Sequence, residues 1–186
     1  MRKWLLLIVV VAALAVVLPG FLVEIGYLHC YRVPTGAMKP TLMPGDDFCM
    51  ERVSYIFRQP RRGEIIVFRT AGIIGIPEPT QPAPNRTFVM RIVGLPQDQL
   101  QLSGDTLLVN GKPDTALRDI HLSTTTHAIY LSGPGSKVQV PADSYFVVGD
   151  NFNSSFDSRY WGFVPKKNIN GRAAYRYWPL ARAGFL

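Results

Sequence analysis

The stretch "DSYFVVGDNFNSSFDSRYWGFVP", residues 143 to 165, carries the most informative pattern in this sequence. Its first part, "SYFVV", is rich in aromatic and β-branched residues and is typical of a β-strand. A long polar loop of Asn, Ser and Asp follows, bounded by Gly149 and Gly162. We therefore predict a strand that runs directly into an extended polar loop.

Other segments of the chain show the same alternation of strand-like runs and turns. The 15 prolines and 16 glycines favour many turns, and residues 71 to 87 read as a surface loop. Asn110–Gly111 is a hairpin signal. The predicted strands include "GEIIVFRT" (63 to 70), "TFVMRIVGL" (87 to 95), "DTLLVNGKPD" (105 to 114), "HAIYL" (127 to 131) and "GRAAYRYWPL" (171 to 180). The fold class predicted from this pattern is mainly β.

The chain is basic, with 20 Lys and Arg against 13 Asp and Glu and a net charge of +7. Such a balance suits either nucleic acid or anionic lipid headgroups. The sequence contains no nucleic-acid-binding motif, and its basic residues are scattered. We therefore expect a lipid bilayer rather than nucleic acid as the partner of this charge.

The N-terminal run "WLLLIVVVAALAVVLPGFLV", residues 4 to 23, has no charged residue and is long enough to cross a bilayer. Arg2 and Lys3 precede it, so the positive-inside rule places the N-terminus in the cytoplasm. A cleavable signal peptide is the alternative, because "ALA" at 13 to 15 has the small-x-small form. Apolar residues continue past that site, which favours a retained anchor over residues 1 to 25.

Cys30 and Cys49 are the two cysteines of the chain. Two cysteines do not make a disulfide framework, and we expect both to be unpaired. Neither has a His or carboxylate at the spacing of a metal site. We expect no metal and no cofactor.

Four stretches together resemble, in order and spacing, the motifs of the bacterial type I signal peptidases. They are "VPTGAMKPTLMPGD" (33 to 46), "RRGEIIVF" (61 to 68), "FVMRIVGLPQD" (88 to 98) and "VVGDNFNSSFDSRYWGFVP" (147 to 165). The resemblance covers nearly the whole chain, including the apolar N-terminal run. Gln97 departs from the family pattern, which usually shows Gly at that place.

The resemblance implies a fold, a location and an activity. Members of this family are serine proteases, anchored by one transmembrane helix on the outer face of the plasma membrane, that cut signal peptides from exported preproteins. Their β-sheet body carries a smaller inserted β-ribbon. Here the resemblance implies an anchor at 1 to 25, a body at 26 to 98 and 143 to 186, and an insertion at 99 to 142.

Both residues of the family's Ser/Lys dyad are replaced in this sequence. The place of the nucleophile holds Ala37, and the place of the general base holds Met90. A Ser–Lys pair works because a neutral, desolvated Lys takes the proton of the hydroxyl. Alanine has no hydroxyl and methionine has no amine, so the resemblance predicts a catalytically silent member of the family.

The residues around the dyad positions are retained. The resemblance gives Thr35 to the oxyanion hole and Ser155 to a hydroxyl that steadies the base. Asp157 and Arg159 look like a structural ion pair. The remaining matches are Ser158 within "DSR" and the turn residues Asp150 and Asn151.

Three functions stay open at this point. The chain can be a silent protein that binds the signal peptides of exported preproteins, or a partner of an active signal peptidase. It can also be a signal peptidase whose dyad was removed by engineering, or one with a variant mechanism in which Thr35 attacks with Lys39 or Arg91 as base. The third function is a structural subunit of an envelope complex.

Overall fold

Runs of β-branched and aromatic residues form the strands of this protein, and Gly, Pro and Asn occupy the turns between them. The computed structural model describes residues 2–24, 26–77, 86–104, 106–114 and 128–186. Its helices are α1 (Arg2–Glu24), α2 (Ser54–Phe57) and α3 (Ser158–Trp161). Its strands are β1 (Leu28–Arg32), β2 (Asp47–Glu51), β3 (Ile65–Arg69), β4 (Thr87–Gly94), β5 (Gln99–Ser103), β6 (Thr106–Val109), β7 (Lys112–Pro113), β8 (Lys137–Gln139), β9 (Ser144–Val148), β10 (Val164–Pro165), β11 (Ile169–Trp178) and β12 (Gly184–Phe185).

The described strands form two antiparallel sheets. The larger sheet has the order β1-β2-β11-β3-β4-β9-β10, with β12 paired to β11, and the smaller has the order β7-β6-β5-β8. The mainly β fold predicted from the sequence is therefore confirmed. The Asn110–Gly111 turn joins β6 to β7 as expected, and Asn110 has a φ of 52° that suits this turn.

The core forms three apolar clusters around the larger sheet. One lies where β4 and β9 face the smaller sheet and includes Val93, Leu100 and Phe146. A second contains Met90, Ile66 and Trp161. The third lies under the loop that follows β1 and is built from Val33, Met38, Leu42, Phe48, Met50, Ile65, Val67 and Ala173. The side chains around the loop after β1 thus belong to the core.

The two cysteines contradict the expectation that they are unpaired. Cys30 on β1 and Cys49 on β2 lie directly opposite each other in the register of the two strands and form a disulfide. Sequence spacing alone did not reveal this, because the pairing depends on the register of the β1–β2 ladder.

A second expectation is also wrong. The strand predicted at "HAIYL" is absent over its described residues, 128 to 131. The amides of Ile129 and Tyr130 instead donate to the carbonyl oxygen of Arg159, at 2.9 and 2.8 Å. A single acceptor takes both donors, so this segment caps the end of α3 rather than extending a sheet.

The predicted surface loop at 71 to 87 is described over 71–77 and from residue 86 onward. Its first part forms turns, and its last residue begins β4. In the described part of the chain, no helix has the length and apolar character that a membrane crossing needs. The anchor expected over residues 1 to 25 stays a prediction.

Candidate functional site

A cavity of about 490 Å³ lies between the loop that follows β1 and the first half of β4. Because β4 is paired with β3 along this half, it gives the cavity one rigid wall. The lining residues are Val33, Pro34, Thr35, Ala37, Met38, Arg86, Thr87, Phe88, Val89, Met90, Ser154 and Phe156. The fold thus brings the first, third and last of the four sequence motifs to one place.

Ala37 and Met90, the two residues predicted to occupy the dyad positions, both line this cavity. Ala37 is half-buried in its loop and Met90 is buried on β4. Thr35 lies at the rim and is exposed. Neither the methyl group of Ala37 nor the thioether of Met90 can donate a proton or take one near neutral pH.

The position of Met90 follows from the pairing of its strand. Met90 stands opposite Ile66 in the β3–β4 register, and its side chain packs in the cluster that also holds Phe68 and Ile92. A flexible thioether fills an irregular apolar space well. The place expected for a base is therefore a packed apolar position in this chain.

Ser155 carries a buried polar atom without a partner. Its side chain is buried, and its Oγ has no hydrogen-bond partner in the described part of the chain. Buried hydroxyl groups are usually hydrogen-bonded, because desolvating one without compensation costs free energy. A Cβ added to Gly149 would collide with this Oγ and with the carbonyl oxygen of Ala37. Ser155 and Ala37 therefore both approach the backbone at Gly149.

Gly149 is a site residue to which the sequence analysis gave no role. Any side chain there would push apart the loop of Ala37 and the loop of Ser155. The available signal was a glycine placed directly after an apolar strand and before Asp150, since glycine in such a place often marks a close approach of two backbones.

Asp157 and Arg159 form the ion pair expected from the sequence, and both are buried. Arg159 Nε lies 2.9 Å from Asp157 Oδ1, and Arg159 Nη2 lies 2.7 Å from the carbonyl oxygen of Phe152. The amide of Gly149 donates to Asp157 Oδ2 at 3.2 Å. The amide of Val147 donates to Ser158 Oγ at 3.0 Å. These residues lie behind the cavity and hold the loop after β9.

Asp150 and Asn151 join that loop to the loop of Ala37. The amide of Asn151 donates to the carbonyl oxygen of Ala37 at 2.9 Å, and its Nδ2 donates to that of Gly36 at 3.0 Å. The carboxylate of Asp150 accepts from Thr41 Oγ1 and from the Arg91 guanidinium. The two turn residues thus fix the backbone at Gly36 and Ala37.

The candidate replacements for the base have other surroundings. Arg91 is held by Asp150 and by the carbonyl oxygen of Gly63, to which its Nη1 donates at 2.7 Å. Lys39 is exposed and is not among the residues that line the cavity. The described residues contain no group of three or more His, Cys, Asp or Glu side chains able to hold a metal ion.

Two aromatic residues line the cavity although the sequence analysis gave them no role. Phe88 precedes Met90 by two positions on β4, so the period of a strand places both side chains on one face. Phe156 is exposed in the loop before Asp157. The strand period could have identified Phe88, but no local pattern indicates that Phe156 faces the same space.

Comparison with known proteins gives consistent matches. The sequence model of a family described as signal peptidase, peptidase S26, matches residues 1–178. A signal peptidase I from Leptolyngbya laminosa is 41% identical over 154 residues, covering 83% of this chain and 70% of that protein. A probable signal peptidase I-2 from Synechocystis is 40% identical over 175 residues, covering 93% and 71%. A solved structure of a signal peptidase I from Enterococcus faecalis is 27% identical with a TM-score of 0.43, covering 62% of this chain and 97% of that one.

Proposed function

Because this chain belongs to the signal peptidase family, peptidase S26, we propose that it binds the signal peptides of exported preproteins without cutting them. The observation that carries the proposal is the pair Ala37 and Met90, which line one cavity where the family's nucleophile and base are expected. A groove that keeps its walls but lacks both reacting groups can bind a peptide. It cannot form a covalent acyl-enzyme with that peptide.

The unpaired hydroxyl of Ser155 supports the loss of a base. In the resembled family this hydroxyl steadies a lysine amine, which is absent here. A buried donor left without its partner is what truncating one member of a hydrogen-bonded pair produces. The ion pair of Asp157 and Arg159 still holds the loop around it, which supports a protein that keeps the walls of the groove without a base.

The edge of β4 supports peptide binding. Over Thr87–Met90 this strand pairs with β3, and its pairing with β9 begins only at Arg91. In the described part of the chain, the other edge of Thr87–Met90 has no strand beside it and faces the cavity. An extended peptide can pair with such an edge by strand addition, with alternate side chains entering the cavity.

The proposal includes a location. The sequence run at 4 to 23 supports a single membrane anchor with a cytoplasmic N-terminus and the main domain outside the plasma membrane. The large apolar side chains described on α1, among them Trp4, Ile8 and Leu18, are exposed. The Cys30–Cys49 disulfide supports the outer face, since disulfides persist in oxidising compartments.

The proposal also divides the chain. The anchor occupies residues 1 to 25, the signal-peptidase-like body 26 to 98 with 143 to 186, and an inserted β-ribbon 99 to 142.

An active signal peptidase is a further proposed partner, because a silent protein can hold substrates that an active peptidase cuts.

The test uses the full chain in neutral detergent and a fluorescent signal peptide in which several further residues follow a small-x-small site. We expect saturable binding and no cleavage. A peptide with Phe at the last position of that site should bind about tenfold more weakly, because an overfilled pocket costs roughly 1–3 kcal/mol. Ala37→Leu should block binding by filling the cavity.

The matched control is Ala181→Leu, the same substitution at an exposed position outside the cavity, which should bind like the unchanged chain. Cleavage by the unchanged chain would contradict catalytic silence and favour a variant mechanism at Thr35. Equal binding of both peptides, or none, would favour a structural subunit of an envelope complex.

A further inference from the structure

A second cavity, of about 550 Å³, lies beside the C-terminal end of α1 and outside the peptide groove. Tyr27 lines it, three residues after α1 ends at Glu24. The carbonyl oxygen of Tyr27 accepts from the amide of Arg52 at 2.9 Å, which ties the chain after the helix to the wall of the cavity. The cavity therefore lies at the level where α1 would leave a membrane.

The wall of this cavity is cationic. Arg52, Arg58 and Lys166 line it, and no described Asp or Glu does. Arg58 is paired with Glu64 at 2.6 Å. In the described part of the chain, the side chains of Arg52 and Lys166 have no acidic partner. Two cations from separate segments thus converge on one space without a balancing carboxylate.

Glu64, which pairs with Arg58 of this wall, makes all of its contacts within the protein. Its carboxylate accepts from Arg58 Nη2, from the Tyr55 hydroxyl at 3.0 Å and from the amide of Arg61 at 2.9 Å. Burial and the neighbouring Glu64 charge raise the pKa of Tyr55, so the phenol stays a neutral donor. Arg52 and Lys166 keep their positive charge available for an external anion.

Apolar side chains border the cationic wall. Ile56 lines the cavity and Phe57 follows it on α2, and both are exposed, at 57% and 83%. A free phosphate ion would gain nothing from these side chains. A phospholipid presents a phosphate next to acyl chains, and it matches both parts of the surface.

We propose that this cavity binds the phosphate headgroup of an anionic phospholipid, with Arg52 and Lys166 on the phosphate and Ile56 and Phe57 against the acyl region. The site rests on the membrane anchor of the proposed function, because α1 brings the cavity to the bilayer surface. It would fix the height and rotation of the body above the membrane, and with them the approach of a signal peptide to the groove.

The experiment compares two neighbouring lysines in the full chain. The chain is placed in nanodiscs of phosphatidylcholine alone or mixed with phosphatidylglycerol, and amine acetylation is followed at Lys166 and Lys167. We expect phosphatidylglycerol to slow acetylation of Lys166 roughly fivefold, the effect of one cation held near an anionic headgroup. Lys167 is exposed and outside the cavity, so it reports the general surface potential, and its rate should fall clearly less than that of Lys166.

Two variants separate the cavity from the general charge of the surface. Arg52→Gln should abolish the protection of Lys166, whereas Arg61→Gln, an exposed cation outside the cavity, should leave it intact. Equal protection of Lys166 and Lys167, or protection that survives Arg52→Gln, overturns the site. Inorganic phosphate that protects Lys166 as well in phosphatidylcholine nanodiscs overturns the lipid assignment.

Failure of the membrane anchor would not by itself decide whether this cavity binds a phospholipid headgroup. If the chain does not enter nanodiscs, the membrane part of the proposed function is contradicted. The same labelling with soluble dihexanoyl phosphatidylglycerol then decides the cavity: selective protection of Lys166 supports it, and no protection overturns it.

Discussion

The Arg91 guanidinium donates two hydrogen bonds to the carboxylate of Asp150, with Nε 2.7 Å from Oδ1 and Nη2 2.6 Å from Oδ2. Such a two-point contact fixes direction as well as distance. Arg91 directly follows Met90 on β4, and Asp150 directly precedes Asn151, whose amide holds the carbonyl oxygen of Ala37. The pair therefore joins the strand of Met90 to the loop of Ala37.

Asp150→Asn should destabilise the protein by about 2 kcal/mol, because it leaves a largely buried guanidinium without its counter-charge. We expect a smaller loss of stability than for a fully buried ion pair, because the Arg91 side chain is 21% exposed. Denaturant unfolding of the full chain in neutral detergent measures it.

The control is Asp47→Asn, which breaks the Arg32–Asp47 pair on the edge of the sheet. The Arg32 side chain is largely exposed, so this change should cost much less stability than Asp150→Asn. Equal losses of stability for the two variants would show that the Arg91–Asp150 pair stabilises the fold no more than an exposed ion pair does.

Restoring the dyad should create cleavage only when both residues are changed. Ala37→Ser with Met90→Lys should process a preprotein, and either change alone should do almost nothing, because members of such a unit are grossly non-additive. The new amine would also give the unpaired Ser155 Oγ a partner. Gel analysis of preprotein processing by all four variants measures this.

The matched control adds Ser155→Ala to the restored pair. If Ser155 steadies the new lysine, this third change should lower the rate without unfolding the protein. A folded but inactive double variant would show that the groove or the oxyanion hole has changed as well, and the protein would then be a scaffold.

Gln97→Gly should stabilise the fold by about 0.5 kcal/mol. Gln97 has a φ of 69°, a left-handed conformation that costs a non-glycine residue roughly 1 kcal/mol. The greater freedom of glycine in the unfolded chain offsets part of that gain. Both hydrogen bonds of residue 97 use its backbone, so the substitution keeps them. Thermal or denaturant unfolding detects the difference.

Gln99→Gly provides the comparison. Gln99 is equally exposed but lies within β5, where glycine should destabilise by about 0.5–1 kcal/mol. A loss of stability at both positions would mean that Gln97 makes contacts through its side chain that outweigh the strain of its backbone.

Replacing both cysteines with serine should lower the free energy of unfolding by about 3 kcal/mol. The disulfide closes a loop between residues 19 apart in sequence, and an open loop gains chain entropy when the protein unfolds. Reductant should lower the unfolding midpoint of the unchanged chain and leave the double variant unaffected. Thiols that react in the denatured, unreduced protein would contradict the pairing.

The local pattern of the sequence was sufficient to predict most of the strands. "GEIIVFRT" became β3 and "TFVMRIVGL" became β4, because runs of β-branched and aromatic residues favour extended backbone wherever they pair. These strands depend on local features, so the amino-acid sequence by itself determined them. The order and spacing of the motifs, also read from the sequence, predict Ala37 and Met90 as the dyad positions.

The partners of these elements required the tertiary structure. β11 pairs with β2 and β3, which lie far from it in sequence, and the β1–β2 register sets Cys30 against Cys49. The pair of Arg91 with Asp150, the approach of two loops at Gly149 and the convergence of Arg52 with Lys166 likewise join separate segments. Hydrophobic burial and strand register select such contacts for the chain as a whole, and no short stretch of residues specifies them.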